Sequence, residues 1–128
     1  MTKITYAMSM IVDSGPAVSA GSYFNPEAYD VINITAPKTG APIAVEMQPG
    51  ETGDVQAIVI TSDNYTDLTY TVDTGDPQIL DAPLMLIGAG NVGLLGATQN
   101  VIEFTNNDPT KDARITILVA REAVEPGA

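Results

Sequence analysis

An all-β fold is the first expectation: an antiparallel β-sandwich or jelly-roll-like barrel of about eight strands. Three observations lead there. Apolar residues alternate with period two along most of the chain, turn-forming clusters recur between the alternating runs, and no window sustains an i, i+3, i+4, i+7 pattern over three turns. The 128 residues form one domain, 1–128, long enough to bury a core without covalent staples.

In chain order, Ile4, Tyr6, Met8, Met10 and Val12 point one way, with Thr5, Ala7 and Ser9 between them. Ser14-Gly15-Pro16 ends this strand, and a loop rich in small residues is expected from Pro16 to Pro26. Lys3 followed by Ile4–Val12 and by Val18-Ser19-Ala20 faintly resembles a secretory leader. Thr5, Tyr6 and Ser9 interrupt the apolar run and Asp13 closes it, so a retained strand is expected instead. Tyr29 to Thr35 is the next strand, and a change of apolar phase between Val31 and Ile32 suggests a bulge or burial on both faces. After the Pro37–Gly40 turn, Ile43, Val45 and Met47 alternate. Pro49 to Gly53 turns the chain into Val55–Thr61, apolar enough for a central strand.

Ser62-Asp63-Asn64 precedes the alternation of Leu68, Tyr70 and Val72, and Thr74 to Pro77 is a further turn. Leu84 to Ile87 reads as a short buried strand leading into a glycine-rich segment. Asn91 to Asn100 is the best short helical candidate, weakened by its glycines. Val101–Thr105 and Ala113–Ala120 read as a closing pair joined by the Asn106–Pro109 turn. Eleven residues are expected to be largely buried, some of them at subunit contacts: Ile4, Tyr6, Met8, Met10, Val45, Val59, Leu68, Tyr70, Val72, Ile115 and Ile117.

Composition narrows the function. Without cysteine there are no disulfides or thiolate metal sites, and without histidine the commonest proton-transfer side chain and metal ligand is missing. A formal net charge of −11 argues against nucleic acid and against anionic membranes as partners. Charged residues are only 16% of the chain while hydrophobic ones are 45%. The surface is therefore built largely from Thr, Ser, Asn, Gln and small apolar residues, as suits a protein partly covered by copies of itself or by a larger assembly.

Four motifs invite chemistry. Gly88-Ala89-Gly90-Asn91-Val92-Gly93 matches G-x-G-x-x-G after an apolar strand, but strand character resumes at Val101, leaving no room for a full helix and a second strand with its acid. It is expected to be a close-packed glycine loop with no cofactor. Asp73-Thr74-Gly75 matches the retroviral-type aspartic protease signature over three residues, yet Asp76-Pro77 follows and a hairpin turn explains it. Asp63, Asn64 and Asp67, or Asn106, Asp108 and Asp112, could approach a calcium ion, but neither set has EF-hand spacing. Serines abound with no histidine to activate them, and none of the three lysines sits in a Ser-Lys motif. The chain is expected to be no enzyme and to hold no metal.

Glu103-Phe104-Thr105-Asn106-Asn107, a polar turn and the run Ala113-Arg114-Ile115-Thr116-Ile117-Leu118-Val119-Ala120-Arg121-Glu122 form an ending that resembles those of small structural proteins of tailed phages, head-decoration and accessory virion proteins among them. The low charge density, the Thr, Gly and Pro content and the lack of Cys and His are similar to theirs. The resemblance implies a virion component assembled in the host cytoplasm, a homo-oligomer with a trimer favoured, bound to a larger assembly such as a capsid. The stretches expected to make its contacts are Tyr23 and Phe24 in the first loop, and Gly88, Gly90, Gly93, Leu94, Leu95 and Gly96 in the glycine segment, where small residues let backbones approach. The alternative is a carbohydrate- or surface-binding sandwich using Tyr23-Phe24 as a stacking platform.

Overall fold

A computed structural model of the chain describes residues 3–47, 54–73, 75–95 and 100–122. Ten strands run through these residues in antiparallel pairs. They are β1 (Ile4–Ile11), β2 (Ala17–Phe24), β3 (Ala28–Ala36), β4 (Ile43–Glu46), β5 (Asp54–Ser62), β6 (Leu68–Val72), β7 (Gln78–Ile79), β8 (Leu84–Ile87), β9 (Val101–Asn106) and β10 (Ala113–Glu122). The only helical residues described are one turn of α-helix, α1 (Ala89–Val92), and one 3-10 turn, Gly93–Leu95. No helix among the described residues is long and apolar enough to cross a membrane.

The last eight strands form a jelly roll. β3 pairs with β10, β4 with β9, β5 with β8 and β6 with β7, so the chain doubles back on itself like one long hairpin. Rolling that hairpin up adds the pairs β5–β10 and β6–β9 and closes two four-stranded sheets, β3-β10-β5-β8 and β4-β9-β6-β7. Their inner faces share one core. Ile58, Ile60, Ile115, Ile117 and Val119 come from the first sheet, and Val45, Leu68, Tyr70, Val72, Ile102 and Phe104 from the second. Burial of the Tyr70 ring raises its phenol pKa.

β9 and β10 are not a pair. Each lies in the middle of a different sheet, and residues 107–112 carry the chain from one to the other. Buried polar side chains make the crossing possible. Asn106 donates from Nδ2 to the carbonyls of Ala36 (3.2 Å) and Lys111 (2.9 Å), and its Oδ1 accepts the Asp108 N–H. Asp108 accepts from the Thr110 N–H and hydroxyl at 2.9 Å each, and from Asn64 Nδ2 at 2.9 Å. Among the described residues no buried side-chain polar atom lacks a partner, as the desolvation cost of such atoms requires.

The third sheet consists of β1 and β2 alone. The expected loop from Pro16 to Pro26 is therefore a strand over most of its length. Its Ala, Ser and Gly residues have little strand preference, but eight registered pairs with β1 supply the ladder. β2 and the two-residue β7 raise the expected eight strands to ten. No bulge interrupts β3, where Ile32 and Ile34 face the core and Val31 and Asn33 face away in unbroken alternation.

Candidate interaction surface

β1 and β2 project from the jelly roll as a hairpin arm. Its tip is a tight turn in which Gly15 N–H donates to the Val12 carbonyl and Val12 N–H to that of Pro16. Ser14 there holds a positive φ of 61°. The cross-strand register sorts the side chains into two faces. Ile4, Tyr6, Met8 and Met10 share one face with Phe24, Ser22, Ala20 and Val18, and the opposite face carries small and polar residues apart from Ile11 and Tyr23. Between Lys3 and Glu27 the only charged residue is Asp13.

Burial along this arm departs from the expectation. Ile4, Tyr6 and Phe24 at the root are half-buried, with the Tyr6 and Phe24 rings 6.4 Å apart. Met8 and Met10 are 42% and 67% exposed. Both methionines were expected to be largely buried, in the core or at a subunit contact, but among the described residues β1 has only β2 beside it and no second sheet pairs with the arm. Val59, also expected to be buried, is half-buried because it points to the outer face of its sheet.

Tyr23, Phe24 and Gly88, from two stretches far apart in sequence, come together. With Tyr6, Gln56, Ile87 and Ala89 they line a cleft of about 280 Å³ where the arm leaves the jelly roll. Lys3 Nζ lies 4.3 Å from the centre of the Tyr23 ring, within cation–π range. The rest of the glycine segment goes elsewhere. Leu94 and Leu95 line a different cleft, of about 340 Å³, with Tyr70, Val72, Leu84 and Leu86. Gly96 lies outside the described residues.

The expectation of close packing at the glycines is corrected by what surrounds them. A Cβ at Gly88, Gly90 or Gly93 would meet nothing within 4 Å. Only Gly88 needs to be glycine for its backbone, with φ at 98°, where its N–H donates to the Gln56 carbonyl and the chain bends from β8 into α1. Its neighbours form a single helical turn that ends at a 3-10 turn, far too short for a dinucleotide-binding βαβ unit.

Residues of the other motifs make hydrogen bonds that shape the chain. Asp73 occupies a positive φ of 52°, and its carboxylate accepts the backbone N–H groups of Asn100 (3.2 Å) and Val101 (3.0 Å), fixing the start of β9. The two acidic clusters merge through the Asn64–Asp108 hydrogen bond. Asp63 accepts the Arg114 N–H and Asp112 the Lys38 N–H. No group of three or more acidic, His or Cys side chains is placed to hold a metal among the described residues. Asp108 is held at a pKa of about 2, first by the Asn64 side chain and then by Thr110.

Sequence reasoning missed a second apolar surface, on the outer face of the β3-β10-β5-β8 sheet. The registers align Val31, Leu118, Val59 and Met85 in one row across all four strands, and Tyr29, Ala120, Ala57 and Ile87 in the next. Val31, Tyr29 and Met85, on the two edge strands, are 55%, 48% and 42% exposed, whereas Ala57 and Ala120 on the central strands are buried. The apparent phase change at Val31 was its only trace in the sequence. No protein-family model matches the chain, and no curated protein or solved structure does.

Proposed function

We propose that this chain is a structural virion protein, a capsid decoration or accessory protein that acts through protein–protein contacts as a homo-oligomer. The observation that carries this reading is the arm. A two-stranded hairpin is marginally stable in water on its own, and this one presents a charge-free apolar face with no described element covering its outer half. Such a surface is an interaction site or an aggregation hazard. The jelly roll beneath it is an architecture of viral capsid domains and also of lectin domains, so the fold supports the reading without deciding it.

Light scattering with mass determination, followed by cosedimentation with phage capsids and imaging of the particles, tests the proposal. A defined oligomer that decorates the shell is expected. A strict monomer with no capsid affinity at micromolar concentration overturns it. The Tyr6-Tyr23-Phe24 cleft favours one second reading, a glycan-binding module. That reading predicts a reproducible glycan-array signal abolished by Tyr23→Ala.

A further inference from the structure

We propose that the polar cleft beside the crossing from β9 to β10 binds a tetrahedral oxyanion, a phosphate group either free or carried by a small molecule. The chain has five cationic side chains against sixteen acidic ones. Two of the five are engaged, Arg121 with the Asp30 carboxylate at 2.8 Å and Lys3 against the Tyr23 ring. The other three, Lys38, Lys111 and Arg114, line one cleft of about 390 Å³. Among the described residues, none of these three side chains makes an ion pair or a hydrogen bond. So large an excess of acid makes unpaired cations unexpected, and here all three share one cleft.

The two carboxylates of the cleft serve the main chain instead. Asp63 accepts the Arg114 N–H at 2.8 Å, and its own N–H donates to the Arg114 carbonyl at 3.1 Å. Asp112 accepts the Lys38 N–H at 2.9 Å. The Lys111 carbonyl accepts from the Asn64 and Asn106 amides of the buried corner. Each cation thus stands on a backbone fixed by a polar side chain, which lowers the ordering cost of binding. Thr35 faces Arg114 in the β3–β10 register, so the two side chains lie on one face of the sheet. Charge and geometry select the ligand. Three cations and two carboxylates leave the lining with one net positive charge. Charges more than about 8 Å away are largely screened at physiological salt. The local excess therefore governs a small anion, while a long polyanion still meets the acidic surface. A guanidinium fork, two ammonium groups and a hydroxyl suit the oxygens of a phosphate better than the two of a carboxylate.

The test is a nuclear magnetic resonance titration of isotope-labelled protein with inorganic phosphate, glycerol phosphate and acetate, at fixed neutral pH and fixed ionic strength. Amide shifts that saturate with a Kd of about 1–10 mM and cluster at residues 35–38, 63 and 110–114 are expected with both phosphates, the tighter of the two naming the source. Because the Lys111 and Arg114 side chains hold nothing in the fold, Lys111→Gln and Arg114→Gln should melt like the wild type. Each should weaken phosphate binding by roughly tenfold. Lys3→Gln, outside the cleft, should bind as the wild type does. No saturable shift up to about 50 mM phosphate, well above such a Kd, overturns the site. Undiminished binding in both cleft variants overturns it too, as does a loss in Lys3→Gln equal to that in Arg114→Gln. Acetate binding as tightly as phosphate overturns the tetrahedral ligand.

Discussion

β1 and β10 have the same apolar rhythm and opposite fates. In β10, Ala113, Ile115, Ile117 and Val119 alternate with Arg114, Thr116 and Leu118, and the first set is fully buried. In β1, Ile4, Tyr6, Met8 and Met10 alternate with Thr5, Ala7 and Ser9, yet burial fades from the root outward until Met10 is 67% exposed. The difference lies in what surrounds them. β10 has a strand on each side and a second sheet over its inner face, whereas β1 has one neighbour and nothing described above it. Alternation fixes which side chains share a face. It does not say whether that face is covered by the same chain.

Core truncation gives the largest contrast between the two regions. Phe104 is fully buried between the sheets, so Phe104→Ala should destabilise the chain by about 3–5 kcal/mol. Met10→Ala should stay within about 0.5 kcal/mol under conditions that keep the chain monomeric. Urea unfolding of both variants checks the pair. A large loss for Met10→Ala in the monomer would mean that the arm packs on its own jelly roll.

The second contrast is polar. Asn106→Ala removes donors from two carbonyls and an acceptor from the Asp108 N–H in a buried corner, which should cost about 1–3 kcal/mol. Ser19→Ala, on the exposed polar face of the arm, should be nearly silent. Equal effects in thermal melts would contradict the assignment of the corner as the polar anchor of the fold.

Acid separates the regions by a different route. The folded-state pKa of Asp108 is about 2 against a usual 3.8. Its hydrogen bonds therefore stabilise the folded chain fully above about pH 4 and lose that effect as pH falls through about 2. Between pH 7 and 5 the jelly roll should be unchanged or slightly firmer as self-repulsion eases. A melting temperature that drops sharply between pH 7 and 5.5 would point to a carboxylate network other than this one. In Asp108→Asn the decline below pH 4 should be shallower.

Much of this fold is legible in the sequence, for reasons that also mark the limits. Eight of the ten strands announce themselves by alternation or by short apolar runs, and turns such as Ser14-Gly15-Pro16 by local chemistry. β2 does not, because Ala17, Ser19, Ala20, Gly21 and Ser22 acquire their strand conformation from β1. Pairing is the larger gap. The β9 and β10 segments adjoin in sequence and look like a hairpin, but a buried Asn106 at their junction sends them to different sheets. Asn64 and Asp108 lie 44 residues apart, and nothing in the chain pattern joins them. Of the interaction residues, Tyr23, Phe24 and Gly88 come together, while Leu94 and Leu95 face another cleft.

The smallest effect is the most discriminating about the glycine segment. Gly88 and Gly90 are two residues apart, both exposed and both with open space at the Cβ position. They differ in backbone. Gly88 has φ 98°, where an L side chain is strained, whereas Gly90 lies within the helical turn α1. Gly88→Ala should therefore cost about 1–3 kcal/mol. Gly90→Ala should stabilise by about 0.5–1 kcal/mol, because alanine loses less backbone entropy in a helix and here meets no obstacle. A nucleotide-binding glycine loop predicts something else, a melting temperature that rises with ligand as RT ln(1 + [L]/Kd) and a Gly90→Ala variant that loses this rise. Melts of wild type and both variants, with and without NAD and ATP, separate the two. Opposite signs for the two alanines and no ligand shift would leave Gly88 as a hinge of the backbone and Gly90 as an ordinary helical position.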